Sequence, residues 1–338
     1  MPFMCGHDQA SMNDVAEPPV LITFGIPTYN SPYLEQTVRS VLSQTLSDLE
    51  VIVSDDGGRP ETRALLDRLA DPRVRYVATD GAPGVPANWN RCLRRACGTY
   101  FVLLPDDDLV APEFAERMVS ALEKQPDAGF AQCGIIAIDN ELKVLEDALV
   151  QPPVDFLSGY DALAWQLETL KCNPVALMFR REVLTQFGGW QEHFWDDWAV
   201  TLRIAFRQGF VFVPQSLAMN RNHEANLSKI LMRNGRDAIL DLINQQTAVF
   251  GDALPVTPEL LALRARWNRD LSHRAVIKAV KFALKGRLKT SMFHYRRARH
   301  LYPLAGLNPG FVIVALRTKL HTLRIHNQGR RAALRASK

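Results

Sequence analysis

Asp106-Asp107-Asp108 puts three carboxylates in a row at the end of Tyr100–Leu104, an apolar, β-prone run that reads as a buried strand. Three adjacent anions repel one another and call for a cation or converging hydrogen-bond donors. Hard oxygen ligands of this kind suit Mg²⁺ or Mn²⁺ shared with substrate phosphates. Taken alone, the run is equally well a solvated turn in which one Asp caps the helix starting near Pro112. Asp55-Asp56-Gly57-Gly58 is either an ordinary Asp/Gly turn or a carboxylate pair that reads a nucleotide. Phe187-Gly188-Gly189-Trp190 leads towards Asp196-Asp197-Trp198, which opens a helix. There the two acids either complement the helix dipole or supply a general base. His223, in Asn220-Arg221-Asn222-His223, is a third metal ligand or a phosphate partner, or else a surface or satisfied core residue.

Positioning these groups requires an ordered series of elements. Val20–Ile26 is the first strand and ends at Pro27-Thr28-Tyr29-Asn30; Tyr33–Gln44 follows as an amphipathic helix. Leu49–Val53 is a strand stopping at the Asp55-Asp56 turn, Glu61–Ala70 a helix, and Arg73–Ala78 a short strand. A Gly/Pro-rich loop precedes the helix Ala87–Ala96, which carries Asn88 and Asn90, and then comes the strand into the triple Asp. This alternation predicts a doubly wound α/β sheet, mixed but mostly parallel, with helices on both faces. Ligands of such sheets sit outside the carboxyl ends of the strands, the edge that gathers Tyr29, Asn30, Asp55, Asp56 and Asp106–Asp108. Further on, Gly129–Ile138, Val175–Phe179 and Phe210–Val213 read as strands, and Tyr160–Leu170 as a helix. No G-x-G-x-x-G follows a strand and no G-x-x-x-x-G-K-[ST] occurs, which removes the main support for dinucleotide-cofactor and P-loop readings.

The 338 residues, 47% apolar, suffice for one large core with an appendage. Residues 1–19 read as a flexible tail, 20–228 as the catalytic domain, and 229–338 as a basic helical region. No secretory signal and no transmembrane run is predicted. The five cysteines form no C-x-x-C pair and read as reduced packing thiols of a cytoplasmic protein. The last 68 residues hold 16 Lys and Arg and no Asp or Glu, whereas the first 270 hold 24 basic and 36 acidic residues. Such asymmetry points to an anionic partner for the C-terminal region. Asn226–Phe250 and Pro258–Arg299 have helical periodicity, and Leu301–Leu316 is an interrupted apolar stretch flanked by Arg and Lys. It fits either a segment lying in a membrane interface or packing of the appendage on the catalytic domain.

Six motifs in this order (P-T-Y-N at 27–30, V-S-D-D-G-G at 53–58, N-W-N at 88–90, D-D-D-L-V-A-P at 106–112, G-G-W with D-D-W at 188–198, and R-N-H at 221–223) resemble the family-2 glycosyltransferases of GT-A fold. The resemblance spans about Val20 to Ser228 and implies a Rossmann-like sheet. It also implies inverting transfer of a sugar from a nucleoside diphosphate to an acceptor hydroxyl. By that resemblance Pro27, Tyr29 and Asp55 border the nucleobase with Asp56 close by, and Asn30 and Asn88 join the nucleotide-binding set. Asp106 contacts the ribose region, and Asp107 binds the Mg²⁺ or Mn²⁺ that bridges the diphosphate, with Asp108 and His223 as the further metal candidates. Asp197 is the base and Asp196 its neighbour. Two departures stand out: Pro105 occupies the place where the family's metal motif often opens with Asp, and Asp196 replaces the Glu of its acid pair. The Q-x-x-R-W of polymer-building members is absent, so a single addition is expected.

The acceptor implied is a saccharide or lipid-linked saccharide for cell-surface polysaccharide. The enzyme is then expected in the cytoplasm, peripheral on the inner face of the membrane and drawn to its anionic surface. Two alternatives share the acidic sheet edge. A sugar nucleotidyltransferase would carry a Gly-rich basic loop after its first strand, where Pro27–Asn30 stands here. A degenerate nucleotide-sugar or saccharide binder would not need both carboxylate sites. Nucleic acid is not an expected partner, because the body is acidic and the tail lacks stacking aromatics interleaved with glycine.

Overall fold

The computed structural model describes residues 20–79, 81, 83–169, 173–190, 196–227, 229–230, 250 and 254–302. Two compact units divide between Leu254 and Pro255, rather than at residue 228.

The first unit is built on one mixed sheet in the order β3-β2-β1-β4-β9-β6-β10-β5. Its strands are β1 (Ile22–Thr28), β2 (Leu49–Asp55), β3 (Val74–Ala78), β4 (Tyr100–Leu103), β5 (Leu109–Val110), β6 (Phe130–Ile138), β7 (Val144–Ala148), β8 (Phe156–Leu157), β9 (Leu177–Arg180) and β10 (Phe210–Arg221). Strands β3, β2, β1 and β4 run parallel, β9 lies antiparallel to β4 and β6, and β6 is parallel to β10. Strand β7 pairs with β6, and β8 with β10. The expected α/β class and doubly wound arrangement hold. The short strands β5, β7 and β8 have no sequence signal, being too brief or too polar to show a period of two.

Helices cover both faces: α1 (Leu34–Leu42), α2 (Pro60–Leu69), α3 (Val85–Arg95), α4 (Phe114–Lys124), α5 (Gly159–Thr169), α6 (Arg181–Gln186) and α7 (Asp196–Gln208). On one face Phe24 and Ile26 of β1 and Val51 and Val53 of β2 pack with Val38 and Val41 of α1 and Phe114 and Met118 of α4. On the other, Ile52, Phe101, Leu103 and Phe210 meet Cys92 of α3 and Val200 and Ile204 of α7. Helix α3 sits so close to β1 that a Cβ on Gly25 would lie 2.6 Å from that of Cys92. Only glycine allows the approach. Burial pushes the thiols of Cys92 and Cys133 up to about 12, in keeping with packing cysteines, but Cys97 is disulfide-bonded, which corrects the all-reduced expectation.

In the second unit, α8 (Pro258–Leu284) and α9 (Leu288–Leu301) replace the single helical run read over Pro258–Arg299. The turn between them sets Gly286 at φ +73, the left-handed region glycine favours. The hydroxyls of Ser272 and Ser291 donate to the carbonyls of Ala298 and Ala279 and tie the pair together. No helix among the described residues is long and apolar enough to cross a membrane. The Leu301–Leu316 stretch beyond Tyr302 and most of Asn226–Phe250 lie outside the described residues.

Phe24 is fully buried between β2, α1 and α4. Phe24→Ala should therefore lower unfolding free energy by about 3–5 kcal/mol in a urea titration, because the site cannot collapse around the lost ring. A loss within experimental error would mean the ring is not part of a close-packed core.

Candidate active site

The parallel strands end in step. Thr28 pairs with Asp55 across β1 and β2, the Asp56 N–H donates to the Thr28 carbonyl, and the Leu104 N–H donates to the Gly25 carbonyl. Pro27–Asn30, Asp55–Gly58 and Pro105–Asp108 are thereby set side by side. Pro27–Asn30, Asp56 and Pro105–Asp108 border a cleft of about 1080 Å³, closed on its other sides by Pro83–Val85, Asn88 and Trp89, by Asn220–His223, and by residues of 225–230.

At the end of β2, Asp55 is fully buried and its Oδ1 accepts from the N–H groups of Gly57 and Gly58, while the Tyr76 hydroxyl donates to Oδ2. It does not line the cleft but shapes the turn that does, because its oxygens are spent on that turn. Asp56 lines the cleft and binds Arg91 and Thr79 through Oδ1 and the Gly84 N–H through Oδ2. Arg91, almost fully buried, also reaches Ser54 and Asn88. Asn88 in turn donates to the Thr28 carbonyl. Asn30 adopts φ +59, a left-handed conformation that Asn tolerates, and its buried Oδ1 has no hydrogen-bond partner. A Cβ on Gly57 would stand 2.4 Å from that oxygen, so the D-D-G-G turn needs its glycine to admit Asn30. Tyr29 projects into solvent at the rim, 72% exposed.

The three adjacent carboxylates have three different environments. Asp106 accepts from the Thr28 hydroxyl at 2.6 Å and the Tyr29 N–H at 3.2 Å. Burial, aided by the charge of Asp107, pushes its carboxyl up to about 7 against those two hydrogen bonds. Asp107 Oδ2 lies 2.9 Å from His223 Nε2 and accepts from Asn226 at 3.1 Å, with the carboxylate open to the cleft. Asp108 is 1% exposed, and its oxygens accept from the Arg221 N–H and from the Asn220 amide. Burial and the neighbouring Asp107 raise its carboxyl well above the usual range. Asp108, a metal candidate by sequence, lies at the cleft wall with its oxygens engaged by hydrogen bonds that join β10 to the turn.

Arg221 is the group that sequence reasoning left without a role. It is fully buried; Nε donates to the Asp107 carbonyl, Nη2 to Gln36, and Nη1 to the carbonyls of Asp139 and Asn140. Its guanidinium lies 4.4 Å from the centre of the Tyr33 ring, which in turn packs 4.9 Å from the His223 ring. The R-N-H motif contained the residue, but nothing in a sequence distinguishes a buried arginine from a surface one.

Asp196 and Asp197 occupy the first turn of α7, as the dipole argument expects, and their side chains lie outside the described set. The Trp190 backbone is anchored: Asn90 of α3 accepts from the Trp190 N–H and donates to its carbonyl. Trp89 meets the Trp190 ring edge-on at 5.7 Å. Asp107 and His223 give one oxygen and one nitrogen ligand of the types that bind Mg²⁺ or Mn²⁺, fewer than a complete shell. Among the described residues no group of three His, Cys, Asp or Glu converges on one point. The pair therefore fits an ion whose remaining ligands are substrate phosphates and water.

Residues 23–187 match the model of glycosyl transferase family 2. A Campylobacter jejuni GalNAc(5)-diNAcBac-PP-undecaprenol β-1,3-glucosyltransferase is 32% identical over 110 residues, covering 31% of this chain and 34% of that protein. Over the first curated relatives the chain matches, the matched share of their own length ranges from 14% to 78%. Among solved structures, Staphylococcus aureus TarS 1–349 in complex with UDP-GlcNAc aligns with TM-score 0.52 at 14% identity, covering 84% of this chain and 91% of that one. The Pyrobaculum calidifontis mannosyltransferase PcManGT in complex with GDP-Man and Mn²⁺ aligns with TM-score 0.56 at 21% identity, covering 91% and 83%. These likenesses establish the GT-A fold.

Replacing Arg221 by Met keeps the volume but withdraws the charge and the donors shared by four partners. We predict that Arg221→Met loses more than about 2 kcal/mol of unfolding free energy, whereas Tyr29→Ala at the exposed rim changes it by about 0.5 kcal/mol at most. Equal stability of the two variants would contradict the role given to the arginine.

Proposed function

Given that residues 23–187 belong to glycosyl transferase family 2, we propose that the cleft binds a nucleoside-diphosphate sugar and that the enzyme transfers a single sugar, with inversion, to an acceptor hydroxyl. One observation carries this reading: the Asp107–His223 pair and the interlocked turns of Asn30 and Asp56 border the same cleft. Pro27, Tyr29, Asn30 and Asp56 take the nucleobase side, where the unpartnered Asn30 Oδ1 is an acceptor in need of a donor. Asp55 and Asn88 hold that wall from beneath, and Asp106 meets the ribose.

Asp107 and His223 are the residues that would hold Mg²⁺ or Mn²⁺, an ion that takes few protein ligands when it is shared with substrate phosphates. Bound there, the ion supplies Lewis-acid stabilisation of the departing diphosphate. Asn226 and Tyr33 fix the orientation of the pair. An acceptor hydroxyl is a poor nucleophile at neutral pH, so Asp197, with Asp196 beside it, removes its proton as it attacks the anomeric carbon. Such general-base help is worth roughly 10²–10⁴-fold. Attack opposite the leaving diphosphate in one displacement inverts the centre.

The Campylobacter relative's name specifies an undecaprenyl-diphosphate-linked acceptor. A lipid-linked saccharide acceptor in cell-surface polysaccharide synthesis suits this chain too, since its last 68 residues carry 16 basic groups and no acids. Basic residues near anionic lipid contribute on the order of 1 kcal/mol each, which supports a peripheral position on the inner face of the cytoplasmic membrane.

Thermal shifts with UDP-, GDP- and dTDP-sugars, with and without Mn²⁺, identify the donor, because a ligand that binds only the folded state raises Tm with its concentration over Kd. Asp107→Asn should abolish the Mn²⁺-dependent part of the shift and the transfer; full activity in excess chelator would refute the metal role. Asp197→Asn should cut turnover by roughly 10²-fold or more with donor binding retained. A crippled Asp196→Asn beside a mild Asp197→Asn would reverse the pair, and donor binding without any transfer would leave a saccharide-binding protein. Anionic vesicles should bind the protein, neutral ones should not, and deletion after Asp270 should abolish binding; equal partitioning would refute the membrane assignment.

A further inference from the structure

A second, smaller cavity of about 140 Å³ lies among β6, β7 and β10, and no step described so far uses it. We propose that it is the subsite for a pyranose ring of the acceptor saccharide, an inference that rests on the glycosyl-transfer reading of the neighbouring cleft. Its position is the first reason. Ala137 and Asn220 line both cavities, so a ring held in the small one borders the cleft that takes the donor. Asn220 is the residue whose amide donates to Asp108, one position before Arg221, which places the shared wall on the catalytic turn itself.

The face of the sheet is the second reason. Phe212 belongs to the core cluster that contains Val200 and Ile204 of α7, and Trp165 of α5 packs on Phe210 and Phe212 at 5.4 and 6.0 Å. Gln132 on β6 is held from the same side, its Oε1 accepting from Gln166 of α5 at 2.6 Å. Helix α7 begins with Asp196 and Asp197, so the cavity lies against the layer whose leading turn carries the general base.

The lining chemistry is the third. A pyranose presents an apolar C–H face and a rim of hydroxyls, and it needs a pocket with an apolar body and a few placed polar groups. Phe212, Ile135 and Val150 supply the first; the amides of Gln132 and Asn220 and the carboxylate of Glu146 supply the second. The volume holds several waters, each ~30 Å³ in the liquid, and hence one ring rather than a chain of sugars.

Saturation-transfer NMR on the full chain with a panel of methyl pyranosides, in the presence of UDP, GDP or dTDP and Mn²⁺, tests the assignment. At least one pyranoside should give a transfer signal in the wild type and lose it in Val150→Trp, which fills the cavity. Glu146→Ala should weaken its binding roughly tenfold, the scale of one lost hydrogen bond to a charged group. Stabilisation by the nucleoside diphosphate should be unchanged in both variants. Glu146 stands exposed on β7, so its variant decides alone should Val150→Trp fail to fold. An undiminished pyranoside signal in both variants overturns the subsite, as does the absence of pyranoside binding in a protein that binds a nucleoside diphosphate. A protein that takes no nucleoside diphosphate overturns the glycosyl-transfer reading, and the subsite with it.

Discussion

The hold of Arg221 on the triple-Asp turn is the constraint on which the rest of the site depends. Three consecutive carboxylates cannot all face one cleft without mutual repulsion. The fold resolves this by giving each a separate fate: Asp106 is turned back to Thr28 and Tyr29, Asp108 is buried on the β10 backbone, and Asp107 alone pairs with His223. The Arg221 backbone N–H fixes Asp108, and its guanidinium fixes the Asp107 carbonyl. The same side chain lies over Tyr33, whose ring supports His223. One buried cation thus sets both members of the candidate metal pair.

The opposite wall of the cleft, around Asp56, is governed in the same way by buried charge. Arg91, on α3, holds Asp56, and Asp56 holds the Gly84 N–H at the start of that helix. The next residue of α3 before it, Asn90, fixes the Trp190 backbone ahead of α7. One helix is thereby tied both to the wall of the cleft and to Trp190. A rigid element of this kind is what a site needs when two substrates must meet in one geometry.

Much of this was legible in the sequence. The βα alternation through Asp108 follows from apolar periodicity and turn residues, and the clustering of Tyr29, Asn30, Asp56 and Asp106–Asp108 at one edge follows from the parallel order alone. What could not be read was which carboxylate of each run faces the cleft. A turn has no period, and the answer comes from partners distant in sequence: Gly57 and Gly58 for Asp55, Asn220 and Arg221 for Asp108. Strand β10 shows why those partners were missed. Pro214 marks an apparent stop after Val213, but the chain passes it with register shifts between Val213 and Ala218 and continues to Arg221. Proline is admitted at such irregularities because a ladder hydrogen bond is already missing there. The extension alone brings Asn220, Arg221 and His223 to the triple Asp.

The most direct measurement is the anomalous diffraction signal of a crystal grown with Mn²⁺ and the nucleoside diphosphate that stabilises the protein best. The account predicts one strong manganese peak within bonding distance of Asp107 and His223, shared with the diphosphate, with Asp108 still bound to the Arg221 N–H. A manganese peak on Asp108, or a diphosphate bound away from Asp107 and His223, would contradict it.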